Sequence, residues 1–283
     1  MRIYISVDME GIAGVSHPKP TERGDSGYSD AVRLMVGETN AAVGGALSAG
    51  ATEILVNDSH GGMHNLTPAD IHPDARLLQG QKAWSMIAGA EPRNGRSVED
   101  GSAFDVALFL GYHARAGHPT GTIAHTFSGR LVETRLNGRP TGEYGLNAAA
   151  LGQWGIPVGL VAGDDALAGE VAEWLPWAER VVVKEAHGGN AASSLHPDRA
   201  RRLIQEAAER AVRRAASGEL PPLRLDSPVT IAVEYRRGVE ADFAAVMPGA
   251  ERFGDRGVRF VAPDAVTAYR GFLAGVRLAG TVD

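Results

Sequence analysis

The sequence predicts an α/β protein: a mostly parallel central sheet with helices on both faces, plus a smaller C-terminal α+β portion. Two observations carry this. Short apolar β-type runs alternate with helical patterns over residues 2–216, and several runs are continuously apolar, as strands covered on both faces are. A Pro-rich stretch at 218–228 (GELPPLRLDSP) then reads as a linker before a strand–helix–strand–helix tail. The expected division is a main α/β domain over 1–217 and a smaller α+β subdomain over 229–283.

Residues 2–7 (RIYISV) open the sheet. A helix over 29–48 follows, rich in Ala, Leu, Met and Val, with Gly50 placed to stop it. Residues 53–56 (EILV) form a second strand, 75–78 a weaker third, and 82–88 a short helix. VALFL at 106–110 is another strand. Asn137-Gly138, between extended segments over 131–141, signals a tight hairpin. Next come a helix over 145–155 and strands over 157–162 and 180–184. The helix over 197–216 is amphipathic: Leu203, Ile204, Ala207, Ala208, Ala211 and Val212 face one way, Arg and Glu the other. The tail reads as strand 229–234, helix 240–247, strand 258–262 and helix 264–278.

Composition narrows the function. The 283 residues carry 28 Lys plus Arg against 34 Asp plus Glu, a net charge of −6. An acidic chain argues against nucleic-acid and anionic-membrane partners, which need a basic footprint. No apolar run is long enough for a membrane span, and the N-terminus does not read as a secretory signal. The absence of cysteine removes disulfides, thiolate metal sites and a Cys nucleophile. Any transition metal must therefore be held by His, Asp and Glu, and a cytoplasmic location is expected.

Several polar residues share one placement. Asp8 and Glu10 follow the first strand, His60 the second, and His113 the VALFL strand. In an open parallel sheet those strand ends lie along one edge, where ligand crevices form, so residues far apart in sequence meet there. Glu143 opens the helix after the hairpin, and His125 lies on the loop between His113 and that hairpin. Imidazoles with carboxylates suit Zn, Mn or Fe more than Ca or Mg. Asp8, Glu10, His60, His113 and Glu143 are five such groups, more than one tetrahedral ion needs, which favours two metals sharing a hydroxide.

Plainer readings exist for each group. Asp8 and Glu10 fit a solvated loop, and His60 and Asp58-Ser59 fit turn caps. Glu143 suits a helix start, and Tyr112-His113 suits packing. His17, His64, His72, His118 and His196 read as surface or turn residues, and His187 as a weak pocket candidate. Asp164-Asp165 reads first as a helix cap. There is no HExxH, no serine elbow around Ser59, and no GxGxxG at Gly11 and Gly14.

The chain resembles the D-aminopeptidase family of dinuclear zinc peptidases. The matching stretches are SVDMEG (6–11), VNDSHGGMHNL (56–66), LGYHARA (110–116), IAH (123–125), NGRPTGEYGLNA (137–148) and VAGDD (161–165), in that order. VTIAVEY and VMPG at 246–249 match more loosely. The resemblance implies two zinc ions per subunit. Asp8 would bridge them, Glu10 and His60 would complete one, and His113 and Glu143 the other. His125 would be the catalytic histidine, and the 117–119 loop would face substrate. The implied reaction removes the N-terminal residue, a D-amino acid such as D-Ala, from short peptides by a metal-bridging hydroxide. The resemblance also implies a cytoplasmic, ring-shaped homodecamer. The residues alone leave open another dinuclear metallohydrolase, an amidase or phosphoesterase, and a non-catalytic metal-dependent peptide-binding protein.

Overall fold

A seven-stranded sheet organises the first two thirds of the chain in the computed structural model, which describes residues 1–92 and 103–282. Strand β1 (Arg2–Val7) leads through helix α1 (Tyr28–Ser48) to β2 (Glu53–Asp58) and β3 (Arg76–Leu78). Then come β4 (Val106–Leu110), the hairpin β5 (Leu131–Leu136) and β6 (Arg139–Pro140), and α2 (Glu143–Gln153). β7 (Val158–Asp164), α3 (Asp165–Trp174), β8 (Glu179–Ala186), β9 (Ala192–Ser194) and α4 (Pro197–Ala216) follow. The tail contains β10 (Val229–Tyr235), α5 (Gly238–Ala244), β11 (Ala250–Phe253), β12 (Gly257–Ala262) and α6 (Ala265–Ala279).

The large sheet runs β3-β2-β1-β4-β7-β8-β9 and is parallel except for β9. Its strands are apolar on both faces because each face has its own core. Ile3, Ile5 and Val7 of β1 join Val106, Leu108 and Leu110 of β4 against α1 and α4. Tyr4, Ala107 and Phe109 point the other way, into a core shared with α2 and α6. The amphipathic face expected of 197–216 is the buried face of α4: Ile204, Ala207, Ala208, Ala211 and Val212 are fully buried.

A second, antiparallel sheet runs β11-β12-β10-β5-β6. Asn137 (φ 46°) and Gly138 (φ 79°) make the β5–β6 turn, the positive-φ pair a two-residue hairpin demands. Asn137 also donates to the Asp226 carbonyl at 2.9 Å and accepts from the Thr230 amide at 2.7 Å. The strand that opens the tail thus pairs with a hairpin from the middle of the chain.

The structure departs from expectation in a few places. Residues 82–88 form only a 3-10 turn at Ser85–Ile87, because Ser85 adopts φ 51° and Gly89 φ 88°, which ends helical winding. The Asp164-Asp165 pair, by contrast, is the helix cap expected of it: Asp164 accepts from the Leu167 amide at 2.8 Å at the start of α3. The short strands β9 and β11 have no clear sequence signal.

Strand order reverses between β1 and β4: the chain builds β2 and β3 on one side, β7 and β8 on the other. The crevice beyond the carboxyl ends of β1 and β4 is the topological switch point, where open α/β sheets bind ligands.

Candidate active site

Asp8 stands at the end of β1 and Gly111 at the end of β4, and the two backbones touch there. The Asp8 amide donates to the Leu110 carbonyl at 2.8 Å, and the Gly11 amide to the Gly111 carbonyl at 2.7 Å. A Cβ on Gly11 would lie 1.8 Å from the Tyr112 carbonyl oxygen, and one on Gly111 would lie 2.1 Å from that of Asp8. Gly111 also needs φ +65°, which favours glycine. These two glycines let the loops bearing Asp8 and His113 pack backbone to backbone.

The six residues singled out from sequence meet at this point. The His60 Nδ1 is 3.2 Å from Asp8 Oδ1 and 2.9 Å from Glu10 Oε2. The His113 Nε2 is 3.5 Å from Asp8 Oδ2 and 3.4 Å from Glu143 Oε2. The His125 Nε2 is 3.9 Å from Glu143 Oε1. Asp8 and Glu10 converge on His60 although the chain leaves extended geometry at Met9. Donor atoms of Asp8, Glu10 and His60 lie within 4.8 Å of one another, as do those of His113, His125 and Glu143. Asp8 reaches both groups with its two oxygens.

Each imidazole is oriented by a backbone carbonyl. His60 Nε2 donates to Thr21 O at 2.9 Å, His113 Nδ1 to Ala114 O at 3.0 Å, and His125 Nδ1 to Ile123 O at 2.9 Å. A carbonyl only accepts, so each of those nitrogens bears the proton. The other nitrogen of each ring then faces the carboxylates, the arrangement by which metal-ligating histidines are held. The Phe127 amide donates to Glu143 Oε1 at 2.6 Å and holds that carboxylate at the start of α2.

The site is buried and electrostatically unbalanced. Asp8, Glu10 and Glu143 are all under a tenth exposed. Burial and the neighbouring Glu10 raise the Asp8 pKa to about 6. Burial opposes charge on His60, but Glu10 and Asp8 outweigh it and raise its pKa to about 12. His113 is likewise held well above the ordinary imidazole range, burial being overcome by Glu143 and Asp8. Three crowded carboxylates thus require positive charge, supplied by protonated imidazoles or by cations. Among the described residues the buried His113 Nε2 makes no well-formed hydrogen bond, only the longer approaches to Asp8 and Glu143, as expected of an atom shaped for a metal. The donor set, imidazole and carboxylate without thiolate, fits zinc.

Two cavities share Glu10 and His125. The inner one, about 220 Å³, is bounded by Asp8, His60, Glu143 and the Phe127 side chain. The outer one, about 610 Å³, is bounded by His118, Pro119, Ile123, Asn190 and Arg236. His118, read from sequence as a turn residue, is half-buried at that rim, where its Nδ1 accepts from the Gly121 amide at 3.0 Å. His187 is exposed, bonds Ser193 at 3.0 Å, and lines neither cavity.

The D-aminopeptidase family profile matches residues 1–274. The chain belongs to the D-aminopeptidase family. It is 36% identical over 281 residues to a D-aminopeptidase of Bacillus subtilis, covering 99% of this chain and 98% of that one. It also superposes on the solved structure described as a Zn-dependent D-aminopeptidase, DppA, from Bacillus subtilis, a self-compartmentalizing protease. The TM-score is 0.92 at 35% identity, over 100% of this chain and 99% of the other.

Some residues that support this site carry weak sequence signals. Ser6 bonds Ser59 and the Tyr112 hydroxyl, each at 2.8 Å, and Asn147 donates to that hydroxyl at 3.0 Å. This buried network ties β1, the loops after β2 and β4, and α2 together beneath the carboxylates. Ser6 and Asn147 look like ordinary polar interruptions of apolar runs. Lys184 is clearer: a lysine inside VVVKEA is anomalous for a covered strand.

Proposed function

We propose that this chain is a zinc-dependent aminopeptidase that removes the N-terminal residue, a D-amino acid such as D-Ala, from short peptides. One observation carries the reading: Asp8 lies between two imidazole–carboxylate groups in a buried cavity that opens to a peptide-sized cleft. Asp8 would be shared by two zinc ions. Glu10 and His60 complete one ligand set, His113 and Glu143 the other. Bound zinc supplies Lewis acidity and lowers the pKa of a coordinated water to about 7.

The chain's own residues do the remaining work. Phe127, packed edge-on against Phe272 at 5.1 Å, forms an apolar wall that limits water. His125 borders both cavities, and its Nε2 is free to take a proton from the attacking water and pass it to the leaving amine. The test is one preparation assayed for zinc content and for turnover of D-Ala peptides, L-peptides and aryl phosphates. Two zincs per chain with D-peptide turnover support the reading. Turnover by metal-free protein, or of phosphates alone, overturns it, and zinc and peptide binding without turnover marks a binding protein instead.

The relative's self-compartmentalization supports a closed homo-oligomer, and the proposed form is a ring-shaped decamer in the cytoplasm. Val239, Phe243, Val246 and Val261 are large apolar side chains exposed by 40–74% in the tail, a surface suited to a second copy. Sedimentation velocity tests the stoichiometry, and cell fractionation tests the location.

A further inference from the structure

Lys184 of β8 is 1% exposed, and although the charges of Asp164, Glu38 and Glu10 favour its ammonium, among the described residues it makes no direct ion pair. Its Nζ instead donates to three backbone carbonyls, those of Glu10, Ile12 and Val15, with Ile12 at 3.3 Å. An ammonium has three donors, and all three are used. The amides of the same loop are held elsewhere. Gly11 donates to Gly111, Ala13 to Glu38 Oε1 at 2.9 Å, and Gly14 to Ser194 Oγ at 3.0 Å. The loop's carbonyls converge on one point, as they do around a structural cation, and the lysine occupies that point. Burying a lone lysine is costly, so the residue needs a reason to be there. The fold position supplies it: β8 lies across β4 and β7 from β1, and the side chain reaches back to the loop that carries Glu10.

We propose that Lys184 is a positioning residue for the metal centre: its buried ammonium gathers the Glu10, Ile12 and Val15 carbonyls and fixes the Glu10 carboxylate toward the metal shared with His60. This rests on the metal role proposed for Glu10. A compact cation is required. The planar fork of arginine does not match three converging carbonyls, and a neutral side chain leaves some of them unpaired.

The test exploits the cysteine-free sequence. Lys184→Met and Lys184→Gln remove the charge, Gln keeping two donors. Lys184→Cys introduces a single thiol, which bromoethylamine alkylates in the unfolded protein to restore an ammonium of nearly lysine length. Zinc is titrated into each apo-protein against a chromogenic chelator, with folding followed by circular dichroism. In Lys184→Met and Lys184→Gln one of the two zincs should bind about 10–100-fold more weakly, the size typical for groups that orient a ligand. The other zinc should be little changed, and alkylation of Lys184→Cys should restore the weakened site. A folded Met or Gln variant with both affinities unchanged overturns the proposal. Should neither variant fold, Lys184→Cys is refolded and titrated with zinc before and after alkylation: two sites of equal affinity in both forms, or alkylated protein that refolds with one zinc still weakened, overturns the proposal, whereas recovery of both sites only after alkylation supports it. Wild-type protein that binds no zinc refutes the metal reading itself, a distinct outcome.

Discussion

The imidazole of His125 lies flat against that of His113, with ring centroids 4.0 Å apart and planes 10° from parallel. In the proposed mechanism the stack divides the labour between a metal ligand and a proton carrier. His113 is 1% exposed, with its Nε2 between Asp8 and Glu143, whereas the His125 side chain is 27% exposed and borders both cavities. His125→Phe keeps a flat ring on His113 but removes the proton carrier. It should retain both zincs by elemental analysis and lose about 10²–10⁴-fold in kcat. Zinc lost together with activity would make His125 a ligand instead.

Zinc loading should release protons. The pKa values of His60 and His113 are both raised in the metal-free site, by Glu10 and Asp8 in one case and Glu143 and Asp8 in the other, against the opposing effect of burial. Both rings therefore hold their second proton at neutral pH, and a metal must displace it. Calorimetry of zinc binding in buffers of different ionisation enthalpy should report release of about two protons per chain, with affinity rising as pH rises. Asp8→Asn removes the carboxylate that faces both groups and should lose zinc and activity together.

The site was more legible in the sequence than its supports. Asp8, His60 and His113 each follow a strand, and a parallel sheet brings such ends to one edge, so the strand pattern brings them near one another, while their metal roles come from the family resemblance. The limits of β1, β4 and α4 were equally plain because apolar runs end where burial ends. β2 runs two residues past its apolar stretch because Asn57 and Asp58 are buried by hydrogen bonds, Asn57 to the Met86 carbonyl and Asp58 to the Leu66 amide. Patterning cannot report that compensation. Nor can it show that β10 pairs with β5, about a hundred residues earlier, or which carbonyls meet Lys184, since those depend on how distant loops cross.

Glu38 of α1 should impose a pH dependence on stability. It is buried, and burial raises its pKa to about 7 from an ordinary value of 4.5. The folded state therefore binds this proton more tightly than the unfolded chain does. The resulting stability is complete below pH 4.5 and is lost as pH rises through about 7, on the order of 3 kcal/mol in full. Lys184, whose burial lowers its pKa to about 8, titrates with the opposite sign and at higher pH. Denaturant melts of the wild type and Glu38→Gln should show the wild type losing ground steadily between pH 5 and about 8. Parallel curves for the two proteins would show that Glu38 is ionised throughout.

The contact between the loops after β1 and β4 gives the most stringent test of the assembled site. Gly11→Ala places a methyl group 1.8 Å from the Tyr112 carbonyl, where no real contact exists, and that atom is backbone rather than a flexible side-chain tip. The loops must part, and they carry Asp8 and Glu10 on one side and His113 on the other. The cost should be on the order of 3 kcal/mol or more. For a chain of this size that is a Tm lower by roughly 6–12 °C. Zinc content should fall as well, because separated loops cannot present Asp8 to His60 and His113 at once. Gly169→Ala is the matched control: it lies in α3, and outside its own helix backbone no atom of the described residues comes within 4 Å of the added carbon. Alanine suits a helix interior, so that variant should melt no lower than the wild type. If Gly11→Ala keeps its Tm and both metals, the loops do not need to touch, and the convergence of Asp8 with His113 has another cause.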